Sequence, residues 1–177
     1  TGGDVLIQNV IPKHMDCISA KLREMGVKIA EYDDAIRVQR TGVMRRANVK
    51  TMPYPGFPTD AMPVLLASQL LAEGETAFTE TIFENRFLHV RQLQKLGAAL
   101  SQQGRTVRLR GVPSLHAAQL QADDLRGGAA LVIAAMCAEG ESAIFGVKHI
   151  ERGYDNLETA LQSAGAALKT VEIPNGM

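Results

Sequence analysis

Apolar residues along the chain follow two alternating periods. Met15, Ile18, Leu22 and Met25 stand three or four apart after Pro12, which is the spacing of one helical face, and Gly26 follows as a stop. Phe87, Val90, Leu93 and Leu96 repeat that spacing and end on Gly97. Between such stretches lie short runs rich in β-branched residues. Residues 5–10, 27–29, 35–38, 48–52, 76–83 and 106–112 read as strands, with turns at Asp33-Asp34 and Gln103-Gly104. Residues 41–48 read as a loop. Pro53-Tyr54-Pro55-Gly56-Phe57-Pro58 excludes a helix, and a helix from Thr59 or Asp60 to Gly74 follows, with Pro63 in its first turn. Farther on, strands are predicted at 116–121 and 142–149, and helices at 124–139 and 154–163. Gly165 stops the last helix, and a final strand is predicted at 167–173.

The order is β-α-β-α-β-β, once in full and once ending a strand short. Residues 5–38 supply the second half of such a unit. The Ala- and Leu-rich helices are apolar over much of their circumference, which predicts helices packed inside sheets. The repetition is also visible residue by residue. Ala72-Glu73-Gly74-Glu75-Thr76-Ala77 recurs as Ala138-Glu139-Gly140-Glu141-Ser142-Ala143, and at the same offset of 66 Arg86 meets Arg152. After a slip of two, Gly97-Ala98-Ala99-Leu100 meets Gly165-Ala166-Ala167-Leu168. A long period of this kind marks repeated supersecondary units. Both arginines are predicted at the junction after a strand, where a scaffold exposes side chains for chemistry.

Composition narrows the picture. A length of 177 residues suits one domain, 1–177, and 46% hydrophobic content suits a buried core. With 5% aromatics and no Trp, small aliphatic residues must fill that core. Lys plus Arg balances Asp plus Glu at 19 each, so charge supports neither nucleic acid nor an anionic membrane as a partner. Arg108 and Arg110 alternate with Val107 and Leu109, as on a strand with one solvated face; Arg105 precedes them. Cys17 and Cys137 lack a second Cys or a His at metal-ligand spacing and read as buried free thiols. The longest apolar stretch, 129–138, is about half a bilayer span, and a cytoplasmic protein is expected. No ligand cluster argues for a metal or organic cofactor.

Four motifs, in order, carry a resemblance: Pro55-Gly56-Phe57-Pro58-Thr59-Asp60, Thr79-Glu80-Thr81-Ile82-Phe83-Glu84-Asn85-Arg86-Phe87, Asp124-Leu125-Arg126 and His149-Ile150-Glu151-Arg152-Gly153-Tyr154. Over essentially the whole chain they resemble the UDP-N-acetylglucosamine enolpyruvyl transferase family. The resemblance implies an inside-out α/β barrel of β-α-β-α-β-β units. It implies two domains with substrates in the cleft between them, and no cofactor. The implied reaction moves the enolpyruvyl group of phosphoenolpyruvate to the 3′-hydroxyl of UDP-N-acetylglucosamine and releases phosphate, the first committed step of peptidoglycan synthesis. The chain resembles most of the family's C-terminal domain. The family's catalytic Cys loop and its Lys-Asn pair belong to the N-terminal domain, and neither Cys17 nor Cys137 matches that Cys. Without that Cys loop and the opposing cleft wall the chain is expected to be inactive alone, and Thr1-Gly2-Gly3 reads as mid-protein sequence. A non-catalytic ligand-binding or regulatory module is the alternative. The pattern departs from the family at Ala61-Met62-Pro63 and at Gly127-Gly128, where Ala-Ser is usual.

The resemblance assigns roles, and the residues themselves admit others. Asp60 would contact the attacking hydroxyl as a base, or cap a helix. Arg152 would bind phosphoenolpyruvate through paired donors, or pair with Asp155. Arg86 would support the cleft, or pair with Glu84 or Glu80. Asp124 and Arg126 would form a pair that orients Arg152 or Asp60, with Asp124 also a plausible cap. Ile82 would offer its backbone to the sugar nucleotide and its side chain to the core. His149 would help shape the anion site, while His14, His89 and His116 fit no constellation.

Overall fold

The computed structural model describes residues 2–172. Three sheets enclose helices, one sheet for each unit anticipated from the repeat. The first holds β1 (Gly3–Gln8), β2 (Lys28–Glu31) and β3 (Ala35–Arg40) in the order β1-β3-β2, all antiparallel. The second holds β4 (Val49–Lys50), β5 (Glu75–Thr79), β6 (Ala99–Gln103) and β7 (Thr106–Arg110) in the order β4-β5-β7-β6, with only β4 and β5 parallel. The third pairs β8 (Gln119–Gln121) with β9 (Ala143–Phe145), again parallel. Thus β8 and β9 repeat β4 and β5, and β1 takes the place of β5 beside its own hairpin.

The helices are α1 (Asp16–Glu24), α2 (Met62–Ser68), α3 (Val90–Lys95), α4 (Leu125–Ala135), α5 (Lys148–Glu151) and α6 (Leu157–Ser163). Helix α2 buries Met62, Pro63, Leu65, Leu66 and Ala67, and it packs directly on α4, itself buried from Gly127 through Val132. One apolar cluster runs from these helices to Phe78, Val107 and Leu109 on the sheet. Helices inside and sheets outside make this the inside-out α/β arrangement. On β7 Val107 and Leu109 are buried while Arg108 and Arg110 face solvent, as alternation requires.

Three helices end the same way. Gly26, Gly97 and Gly165 have φ of 87°, 91° and 89°, a conformation that a side chain would strain. In each case the glycine N–H reaches the carbonyl three residues back, and the next N–H reaches the one five back. The glycine pair at α4 serves close approach instead. A Cβ on Gly128 would stand 2.6 Å from Ile150 Cγ1, and one on Gly127 would stand 3.0 Å from His89 Cβ.

Several predicted elements come out shorter. The strand expected at 76–83 ends at Thr79, because Glu80 turns inward and accepts the N–H groups of Ile82 and Phe83. The helix expected to reach Glu139 ends at Ala135, and Glu139 forms a bridge with His116. The strand expected at 142–149 stops at Phe145, where Gly146 takes φ 79°, and His149 and Ile150 lie in helix α5. No strand forms over residues 167–172, and Ile173 lies outside the described residues. Cys17 and Cys137 are free thiols, half-buried rather than buried.

Candidate active site

Asp60 lies in a single 3-10 turn, Thr59–Ala61, that leads into α2. Residues 53–56 form a turn, closed by the Gly56 N–H on the Pro53 carbonyl at 2.8 Å, and Pro58, with φ −72° and ψ 137°, leads into the Asp60 turn extended. The capping role is not what the geometry shows, because no side-chain hydrogen bond caps this turn or α2. Instead, each Asp60 oxygen meets an arginine. Oδ1 accepts from Arg86 Nη2, and Oδ2 accepts from Arg126 Nη2 at 3.0 Å. The Asp60 side chain remains 53% exposed, while those of Arg86 and Arg126 are 14% and 26% exposed. The carboxylate is therefore held from the protein side and open to solvent on the other.

Arg86 reaches Asp60 from the loop between β5 and α3. Its Nε donates to Thr59 Oγ1 at 3.0 Å, and its guanidinium lies 4.7 Å over the Phe83 ring. Neither Glu84 nor Glu80 is its direct ion partner. Glu84 pairs with Arg105 at 3.4 Å. Glu80 is 1% exposed and accepts from Thr51 Oγ1 and Thr59 Oγ1, both at 2.7 Å, besides the two backbone donors. Burial alone would raise the Glu80 carboxyl, but hydrogen bonds from Thr59, Ile82, Thr51 and Phe83 win and hold it below its usual range. Glu80 thus fastens both the Asp60 turn and the Arg86 loop from beneath. It was named in the sequence only as a possible partner of Arg86, since a glutamate in a strand pattern gives no sign of facing inward.

Arg126 comes from the first turn of α4. Asp124 caps that helix, accepting from the Gly127 N–H at 2.8 Å. The expected Asp124–Arg126 pair does not form; the two residues are divided between cap and clamp. The Arg126 guanidinium also lies 5.3 Å over the Tyr154 ring. Tyr154 and Asp60 together hold it above its usual range, against the effect of burial.

Ile82 is 41% exposed, not in the core, and its N–H is committed to Glu80. Arg152 follows α5 rather than a strand and is exposed. Among the described residues no hydrogen bond or ion pair holds the Arg152 side chain, and Asp155 instead accepts from Asn156. Arg152 is therefore near the cluster in sequence motif but not bonded to it. His149 is exposed on α5. No group of His, Cys, Asp or Glu among the described residues could hold a metal ion, and none of their helices is long and apolar enough to cross a membrane.

His89, which fits no constellation in the sequence, is a buried polar group left without a partner among the described residues. It is 3% exposed, and neither ring nitrogen has a hydrogen-bond partner among the described residues. Burial pushes its imidazole down to about 4; the Asp124 charge and the Arg86 backbone oppose this, and the Arg86 charge adds to it. Protonation must therefore favour the unfolded chain. Stability is full above pH 6.5 and falls as pH drops toward 4, by about 3 kcal/mol in total from this group. Urea denaturation of the parent and of His89→Phe between pH 7.5 and 4.5 checks this. The parent should lose stability relative to His89→Phe as pH falls through that range; parallel curves would show that His89 is not buried neutral.

Comparison with known proteins places the chain among relatives. The family model for EPSP synthase (3-phosphoshikimate 1-carboxyvinyltransferase) matches residues 1–161. UDP-N-acetylglucosamine 1-carboxyvinyltransferase of Clostridium botulinum is 48% identical over 167 residues, covering 94% of this chain and 40% of that protein. The protein of the same name from Desulfofundulus thermocisternus is 45% identical over 168 residues, covering 95% of this chain and 69% of its own length. The crystal structure of the enolpyruvyl transferase NikO from Streptomyces tendae matches with a TM-score of 0.83 at 26% identity, covering 93% of this chain and 39% of NikO. The chain thus spans 40% of the length of the Clostridium botulinum relative.

Proposed function

The chain belongs to the EPSP synthase (3-phosphoshikimate 1-carboxyvinyltransferase) family of enolpyruvyl transferases, and from that premise we propose that it forms one wall of a UDP-N-acetylglucosamine 1-carboxyvinyltransferase. In this reading residues 1–177 are most of one domain, and a second domain closes the cleft. The substrates are UDP-N-acetylglucosamine and phosphoenolpyruvate. The enzyme would act in the cytoplasm and serve peptidoglycan and cell-wall biogenesis, and with them cell shape and cell division.

The observation that carries the reading is Asp60 clamped by arginines from two repeats while half open to solvent. A carboxylate has about four lone-pair sites, and the clamp uses two. The rest can accept a proton from a hydroxyl brought up from the open side. In the proposed reaction Asp60 takes the proton of the 3′-hydroxyl as its oxygen bonds to the central carbon of phosphoenolpyruvate, whose double bond opens as the methylene carbon gains a proton from an acid on the opposing wall; that carbon gives up a proton again as phosphate leaves with its bonding pair. Departure of phosphate then restores the double bond. Arg152, exposed and unpaired, would hold the carboxylate or phosphate of phosphoenolpyruvate through two parallel donors. Arg86 and Arg126 would fix Asp60 and add positive field. Asp124 would set the start of α4, and Ile82 would border the sugar nucleotide.

Half a cleft leaves Arg152 in water, where attraction is screened, so the chain should bind anions no better than about millimolar. Titrating it with phosphoenolpyruvate and following backbone amides tests this. Shifts should centre on Arg152 and its neighbours. Still amides there, with shifts elsewhere, would contradict the anion-site assignment.

A further inference from the structure

The segment that carries Arg152 is tied to the start of α4 at two adjacent points. Gly153 packs so closely on Leu125 that a Cβ there would lie 2.6 Å from Leu125 Cδ2. Tyr154 lies under the next residue, with its ring centroid 5.3 Å from Arg126 Cζ. That same guanidinium donates to Asp60 at 3.0 Å. The Tyr154 ring also packs against the small apolar cluster of Ala122, Val132 and Ile150, so it is anchored from behind. Its N–H bonds to the Ile150 carbonyl at 3.2 Å, which fixes it to the turn bearing Arg152. A contact chain therefore runs from Arg152 through Gly153 and Tyr154 to Arg126, and from there to Asp60.

We infer that Tyr154 is a positioning residue that sets Asp60, through Arg126, relative to the Arg152 turn. The inference rests on the function proposed above, in which Asp60 meets the acceptor hydroxyl and Arg152 the enolpyruvyl donor. Those groups must be held in register for the hydroxyl oxygen to meet the reacting carbon, and small displacements there are costly. Tyr154 acts on Arg126 through its aromatic face, over which the cation sits, and through its phenol group, which supports the guanidinium charge. A phenyl ring supplies that face too, while an aliphatic side chain does not. Arg126, by contrast, has two partners, and without the ring it keeps only Asp60 and regains rotamer freedom.

The test uses an enzyme in which this chain replaces the matching residues of the Clostridium botulinum relative. Tyr154→Leu should lower kcat about 10- to 100-fold, with KM for both substrates nearly unchanged, since alignment rather than binding is lost. Tyr154→Phe, which keeps the ring and loses the phenol oxygen, should retain far more activity than Tyr154→Leu, and a melting curve shows that each variant folds. Adding Tyr154→Leu to Arg126→Gln should cost almost nothing further, because both act through one contact. In the unfused chain, Tyr154→Leu should move the Arg126 Nε–H and Asp60 amide resonances, and Tyr154→Phe should move them far less. Parental kcat in a folded Tyr154→Leu enzyme, or full additivity with Arg126→Gln, overturns the inference. If the parent enzyme itself releases no phosphate from these substrates, the functional reading fails instead, and the resonances of the chain still decide whether the contact exists.

Discussion

Replacing Asp60 by asparagine in the enzyme carrying this chain is expected to lower turnover about 10²- to 10⁴-fold, the range for a positioned base. Folding should change little. The substitution keeps shape and keeps an oxygen that can accept from one of the two guanidiniums. The ion pairs it weakens are partly exposed, since Asp60 is 53% exposed, and such pairs contribute about 1 kcal/mol or less. What it removes is the site that receives the hydroxyl proton. Steady-state phosphate release and thermal unfolding, measured side by side, separate the two effects. Equal turnover with a normal melting curve would leave Asp60 as a structural clamp.

The chain by itself is expected to show no measurable transfer of the enolpyruvyl group. Asp60 is half open to solvent and Arg152 is exposed, so both would work in water. Preorganised charges act strongly only where water is excluded, and two substrates gain effective concentration only when held between walls. Loss of either effect alone is worth many powers of ten. Phosphate release from phosphoenolpyruvate with UDP-N-acetylglucosamine, at high chain concentration, checks this. Turnover at the rate of a full-length relative would show that the open face is sufficient.

Much of the fold was legible because its signals are local. Gly26, Gly97 and Gly165 announce helix ends, since a residue of positive φ after an apolar helical face is a chemical requirement at one position. The 66-residue repeat placed Arg86 and Arg152 in equivalent units, although neither directly follows a strand. Elements were overextended where a side chain or a glycine ended them early. Glu80 captures the next two N–H groups and stops β5, and periodicity carries no record of that. The candidate site was less legible still. Asp60 and Arg126 are 66 residues apart, one repeat, and only the packing of α2 on α4 brings their turns together. Asp124 could equally have capped its helix or paired with Arg126, and a helix start left without a cap is the costlier choice. Buried His89 was invisible because one histidine in an apolar stretch carries no pattern of its own.

Acceptor choice separates the two enolpyruvyl transfers most directly. Phosphate release from phosphoenolpyruvate should be measured in the enzyme carrying this chain, with UDP-N-acetylglucosamine and with 3-phosphoshikimate as alternative acceptors. The expected result is release that depends on UDP-N-acetylglucosamine, is absent with 3-phosphoshikimate, and collapses with Asp60→Asn. A folded enzyme that turns over with 3-phosphoshikimate instead, or that keeps its rate with UDP-N-acetylglucosamine after Asp60→Asn, would contradict it.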